Sequence, residues 1–269
     1  MTLKILHRIY FGFDGKPDPY LGYLDTWKEQ LPGYRIMHWN ADNLPIGACD
    51  YSKMMYELRD HAFLSDYFRW WVLREFGGAY LDADIEVVSG EKFNNLVEEL
   101  ESDDRLDAMI GIDNYAGGWF TGHSMIVKPH SDFPTFMCSV YEEMGPIALW
   151  RRKIFYMMAP QLCGLYFATR GHHVDGMGTC PRLLEPTVRE RVKIYPQDYF
   201  SPMTPSSEKG SDGFIIDAYT PNTSLCHHFS CSWHDDDSAF KKASRSRNGA
   251  RPRLLAELAR MSQRFTPKG

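Results

Sequence analysis

Cysteine is scarce in this chain of 269 residues, and it is spaced poorly for metal or disulfide chemistry. The six cysteines, Cys49, Cys138, Cys163, Cys180, Cys226 and Cys231, include no Cys-x-x-Cys pair. Zinc ribbons and fingers depend on that spacing, so no zinc site is expected and buried free thiols are the ordinary reading. No apolar run approaches the ~20 residues that span a bilayer. The opening MTLKILHRIYFG lacks the basic start, long apolar stretch and small-residue cleavage site of a secretory leader. Together these absences predict a cytoplasmic protein. A Gly-x-Gly-x-x-Gly fingerprint and a P-loop lysine are also missing, which argues against the usual dinucleotide and ATPase sites. Net charge is only −5, so no nucleic-acid partner is expected from bulk electrostatics.

The residues that are present describe a folded α/β chain. At 43% hydrophobic and 14% aromatic, it has ample material for a core and too much for disorder. Leu3–Phe11 reads as a strand, with apolar Ile5, Leu6, Ile9 and Phe11. Tyr20, Leu24, Trp27 and Leu31 then repeat at helical spacing until Pro32-Gly33, and Tyr34–Trp39 is a second strand. A strand–helix–strand start predicts a parallel pair with a right-handed crossover. Further on, Phe93–Leu100, Phe133–Met144 and Pro160–Arg170 read as helices. Ala108–Ile112, Val192–Tyr195 and Phe214–Ile216 read as strands, and Pro196–Pro205 as a loop able to close over a ligand.

The chain is organised around Ala62–Val88, AFLSDYFRWWVLREFGGAYLDADIEVV. Its first half is helical, with Phe63, Tyr67, Trp70, Trp71 and Phe76 on recurring turns, and Gly77-Gly78 supplies the stop. A short apolar run then leads into Asp82-Ala83-Asp84. Strand alternation would send both carboxylates to one side, where they repel each other unless a cation lies between them. Oxygen ligands suit Mg²⁺ or Mn²⁺, which in turn bind phosphate. Asp66 and Arg69, three residues apart on the preceding helix, share a face and can pair. Asp235-Asp236-Asp237 also matches Asp-x-Asp, but it sits in a polar acidic run with no strand before it.

The assembled pattern is Ser65-Asp66-x-x-Arg69, then Gly77-Gly78-x-Tyr80-x-Asp82-x-Asp84. It resembles the DXD glycosyltransferases of the Och1-like, capsular-polysaccharide type (glycosyltransferase family 32) and the sugar-transferring domains of large clostridial toxins. His7-Arg8-Ile9-Tyr10-Phe11-Gly12 is similar to the head motif of those families, whose aromatic stacks on the donor base; the matching position is Tyr10. His227-His228-Phe229-Ser230-Cys231-Ser232-Trp233 is similar to their tail motif. Adjacent strand histidines point to opposite faces, so at most one can join a given site. The resemblance implies that His228, the histidine before the aromatic, holds the metal, and that Trp233 packs against sugar or phosphate. It further implies a GT-A fold with a mostly parallel central sheet flanked by helices. The implied reaction moves a sugar, with retention, from a UDP- or GDP-sugar to a glycan or lipid-linked saccharide acceptor. Asp82 and Asp84 would join His228 on Mn²⁺ or Mg²⁺, while Asp66, Arg69, Tyr80 and Asp82 contact the donor. No catalytic base or nucleophile is assigned. Family members often carry an asparagine-containing stretch where this chain has Thr121-Gly122-His123-Ser124, which leaves one sugar contact unassigned.

Two other classes compete. A haloacid-dehalogenase-like phosphatase also places Asp-x-Asp after an apolar strand and would use Asp82 and Asp84. It normally has Thr or Val next, whereas Ile85 follows here, and its motif lies near the chain start. A non-catalytic carbohydrate-binding module would suit the aromatic content but gives no reason for the carboxylates. Finally, composition shifts at residue 241. The expected division is a catalytic domain over 1–240 and a tail over 241–269 with nine basic residues against one acid, Glu257. Leu254, Leu258, Met261 and Phe265 line one face of a short basic helix there. It would either rest on an anionic membrane, at the inner face, or dock on the acidic catalytic domain.

Overall fold

The computed structural model describes residues 2–113, 119–151, 159–173, 183–203 and 219–230. Trp233, Asp235–Asp237, Phe214–Ile216 and the basic tail lie outside them. Of the six cysteines, Cys49, Cys138, Cys163 and Cys226 are described, and all four are free thiols. Among the described residues no helix is long and apolar enough to cross a membrane.

The chain opens with β1 (Ile5–Ile9), α1 (Leu21–Gln30) and β2 (Arg35–Trp39), and β1 and β2 pair in parallel as expected. Next come α2 (Asp50–Glu57), α3 (His61–Phe76), β3 (Gly78–Leu81), β4 (Ile85–Val87) and α4 (Gly90–Ser102). They are followed by β5 (Ala108–Asp113), β6 (Trp119–Val127), α5 (Asp132–Arg151) and α6 (Ala159–Ala168). The last elements are β7 (Thr187–Arg189), β8 (Val192–Tyr195), α7 (Gln197–Phe200) and β9 (Leu225–His227). Seven strands form the central sheet in the order β2-β1-β3-β6-β5-β8-β7. Strands β1, β2, β3, β5 and β8 run one way, and β6 and β7 oppose them. The expected α/β architecture with a mostly parallel sheet is therefore present.

Strand alternation divides the apolar residues between two cores, one on each face. In β3, Tyr80 joins the core formed with α2, α3, α5 and α6, whereas Ala79 and Leu81 join the core beneath α1 and α4. Met109 of β5 and Ile126 of β6 likewise face α1 and α4, while their neighbours face the other way. Trp27 of α1 is fully buried, and its indole N–H donates to the Ile85 carbonyl, which ties α1 to β4.

Two corrections concern elements. The proline-rich run after Tyr195 includes the short helix α7 as well as loop. The Asp82–Asp84 tripeptide is a turn, closed by a hydrogen bond from Ile85 N to the Asp82 carbonyl (3.1 Å), and not part of a strand. At this turn the chain leaves the central sheet, and β4 pairs instead with β9 in a separate two-stranded ribbon.

The candidate metal and donor site

Helix α3 aims the first group of site residues. Its interior packs on both sides, so Asp66 and Arg69 are carried into the protein along with Phe63, Tyr67 and Trp70. The helix stops at Gly77 (φ 63°) and Gly78 (φ 93°), which L side chains rarely tolerate. A Cβ on Gly77 would also lie 2.5 Å from the Pro129 ring, and one on Gly78 2.6 Å from the Ile5 carbonyl. This tight reversal feeds β3 directly beneath α3, so Tyr80 and Asp82 arrive beside the Arg69 guanidinium. The turn is pinned from behind by His7. Trp39 donates to its Nδ1 (3.0 Å), so Nε2 carries the proton and donates to the Gly77 carbonyl (2.8 Å). Burial lowers the His7 pKa to about 4, so it acts as a neutral structural group.

Arg69 is the hub of the site. One Nη reaches Asp66 Oδ1 at 2.8 Å and Asp82 Oδ1 at 3.4 Å. The other donates to the Gly122 carbonyl, and the guanidinium lies over the Tyr80 ring at 5.1 Å. A Cβ on Gly122 would come within 2.9 Å of that guanidinium, so a glycine is what lets β6 approach. Tyr80 Oη donates to Asp82 Oδ1 (2.5 Å). Burial, opposed by Arg69, raises the Asp66 carboxyl to about 6. Burial also raises Asp82, again against Arg69, and Asp84 adds to the rise.

Asp84 behaves differently from its neighbour. Burial pushes its carboxyl up, but His227 and the Ser230 amide overcome that and hold it well below the usual range. Ser230 N donates to Oδ2 at 2.9 Å, and His227 Nε2 lies 3.4 Å from Oδ1. Asp82, Asp84 and His227 each offer one ligand atom, all within 4.8 Å of one another.

The structure thus separates the two histidines as alternation requires, but it brings His227 to the carboxylates. In the antiparallel β4–β9 ribbon, His227 pairs with Ile85, next to Asp84. His228, expected to hold the same metal, faces the other side and bonds Glu86 (2.9 Å). The register of the ribbon, invisible in either segment alone, makes this difference.

Sequence reasoning also missed His123 of β6. Its ring stacks on His227 with centroids 4.2 Å apart, and its carbonyl accepts from Asp82 N (2.8 Å). Tyr10 lies just beyond the end of β1, at the same end of the sheet as Asp82, which follows the parallel β3. It is half-buried, bonds the Pro17 carbonyl through its hydroxyl (2.8 Å), and meets Tyr20 edge-on at 6.4 Å. The buried Arg8, paired with Asp18 at 2.6 Å, lies near its ring at 5.8 Å.

Residues 17–102 match the family described as "Glycosyltransferase sugar-binding region containing DXD motif". The matched region contains Asp66, Arg69, Tyr80, Asp82 and Asp84. No curated protein matches the chain. Among solved structures, one similar chain is a glycosyltransferase involved in glycosylation of the major capsid of PBCV-1. It is 11% identical with a TM-score of 0.47, over 90% of this chain and 98% of that one. An active-site mutant of LgtC is 15% identical with a TM-score of 0.46, over 95% of each chain. The PaToxG glycosyltransferase is 15% identical with a TM-score of 0.43, over 60% of this chain and 66% of that one. The phosphatase alternative is not favoured, because the residues it would use lie inside a matched glycosyltransferase region.

Proposed function

We propose that the chain is a glycosyltransferase that uses a divalent cation and a nucleoside-diphosphate sugar, transferring the sugar with retention to a glycan or lipid-linked saccharide. The observation that carries this reading is the convergence of Asp82, Asp84 and His227 at one turn, beside the Asp66–Arg69–Tyr80 network. The residues fit a cation. Two carboxylates and an imidazole are a ligand set for Mn²⁺ or Mg²⁺, and one ligand atom from each lies within 4.8 Å of the others. Asp82, Asp84 and His227 would hold it, and it would supply neutralising charge to the diphosphate as the leaving group departs.

The remaining roles belong to the chain itself. Asp66 and Arg69 would position sugar hydroxyls, with Arg69 fixed from three sides before the donor arrives. Tyr80 orients Asp82 and shields it from water. Tyr10, at the same end of the sheet, would stack on the base. Retention would proceed by attack from the leaving-group face. In this reading the GT-A catalytic domain is residues 1–240, and the basic tail of residues 241–269 brings a cytoplasmic enzyme to the inner membrane face.

The test is a panel of UDP- and GDP-sugars incubated with the protein and Mn²⁺ or Mg²⁺. Metal-dependent release of free sugar with an intact nucleoside diphosphate is expected from one donor. Release of inorganic phosphate would instead favour the phosphatase, and no turnover of any donor would favour a binding module.

A further inference from the structure

Behind the carboxylate turn, on the opposite face of the β4–β9 ribbon, lies a second set of potential ligands. Glu86 pairs directly with Cys226 across the two strands. His228 lies two residues beyond Cys226 and shares its face. The Glu86 carboxylate, Cys226 Sγ and a His228 ring nitrogen each offer a ligand atom, and these lie within 4.8 Å of one another. Cys226 and His228 are buried, and Glu86 is half-buried.

We infer that Glu86, Cys226 and His228 form a structural zinc site, distinct from the donor-metal site. The ligand chemistry selects the ion. A thiolate with an imidazole and one carboxylate suits Zn²⁺, whereas Mn²⁺ and Mg²⁺ prefer the oxygen-rich turn on the other side. Cys226 would give up its thiol proton on binding, and the fourth position would take water or the Tyr219 hydroxyl. The surrounding residues already orient these ligands. Tyr23 of α1 stacks on the His228 ring with centroids 4.5 Å apart, and Tyr219 Oη donates to Glu86 Oε2 (3.3 Å). Such outer contacts are what hold ligands in place around a metal.

The ribbon also needs such a staple. Two strands of three residues each are marginal alone, yet this pair sets His227 beside Asp84. A zinc ion joining β4 to β9 would fix that register. The absence of Cys-x-x-Cys pairs does not count against it, because its ligands come from two strands and not from a single knuckle.

The experiment uses the full chain, stripped with chelator, reloaded with Zn²⁺ or Co²⁺ alone and desalted. One zinc per chain should be retained. The cobalt form should show the near-ultraviolet band of a thiolate-to-metal transition. Cys226→Ser and His228→Ala should lose the zinc, and Cys226→Ser the band, whereas Asp84→Asn should keep both. Failure of the wild-type chain to retain zinc would overturn the proposal without any variant. So would a thiolate band that survives Cys226→Ser, or loss of zinc in a folded Asp84→Asn protein. The site does not depend on the donor reading, since its occupancy is measured without any sugar nucleotide.

Discussion

His123 and His227 lie nearly face to face, with ring centroids 4.2 Å apart and planes inclined by 28°. Among the described residues, neither Nε2 of His123 nor Nδ1 of His227, both buried, finds a hydrogen-bond partner. Burial and the neighbouring His227 hold His123 well below the usual histidine range. His227 moves the other way, because Asp84 outweighs its burial. Two stacked imidazoles cannot both carry charge cheaply, so a proton taken up by the pair favours the ring next to Asp84. A divalent cation at the turn would replace that proton.

The first prediction follows from Asp84. Asp84→Ala should abolish metal-dependent donor turnover, by about a hundredfold or more, since even outer contacts to a metal are worth 10–100-fold. The fold should survive, as the change removes a ligand and little core volume. Asp237→Ala, in the other Asp-x-Asp run, should be close to silent. Donor hydrolysis and Mn²⁺ titration of both variants check this, and equal behaviour would misplace the motif.

The second prediction separates the two histidines. His227→Ala should weaken Mn²⁺ binding about tenfold or more while zinc retention persists. His228→Ala should lose zinc, with a smaller change in Mn²⁺ affinity. Isothermal titration with each metal in turn reads the difference, and the opposite order would return His228 to the carboxylate site.

A third prediction concerns Arg69. Its removal leaves the buried Asp66 without its counter-charge, and breaking a buried pair typically costs about 3–5 kcal/mol. Arg69→Ala should therefore lower the urea midpoint strongly. Asp66→Asn added to Arg69→Ala should recover part of the loss, because the orphaned charge is gone. A double variant no more stable than Arg69→Ala would mean that Asp66 is not the strained partner.

The fourth prediction is a pH dependence. Asp66 titrates near 3.8 when unfolded and near 6 when folded, mainly because it is buried. Between those values the folded chain holds the extra proton. This group therefore favours folding below about pH 4, loses that contribution as pH rises to about 6, and changes little beyond. Asp66→Asn should be insensitive, so its melting temperature relative to wild type should rise between pH 4.5 and 7. A constant difference across that range would contradict the assignment.

The fifth prediction tests the tail. Each basic residue near an anionic surface contributes roughly 1 kcal/mol, so the tail's net charge of +8 could hold the protein reversibly. The full chain should sediment with anionic liposomes at low salt, be released at high salt, and lose binding when it ends at Phe240. Equal behaviour of the two chains would favour a helix docked on the catalytic domain.

Much of the site was legible because its spacing is local. Asp66, Arg69, Gly77, Gly78, Tyr80 and Asp82 belong to one helix–turn–strand unit, and helical and strand periods bring them together without reference to the rest of the chain. The Asp82–Asp84 turn was read as a strand because apolar residues flank it on both sides. His227 was missed in favour of His228 because the choice depends on how β9 aligns with β4. His123 was missed because nothing in an apolar strand singles out a histidine whose partner lies over a hundred residues away. Helix α2 was missed too: Tyr51, Met54 and Met55 are its buried face, but the run is short and polar at both ends.

The β4–β9 ribbon also has a consequence for synthesis. Asp84 and the Ser230 amide that caps it are separated by 146 positions along the chain. At about 5–20 residues per second, a ribosome delivers the carboxylates roughly 7–30 seconds before the strand that completes their cradle. Until then the nascent polypeptide carries the turn without its histidine. On the proposed reading, the metal site at the turn would therefore be completed only once β9 has been made.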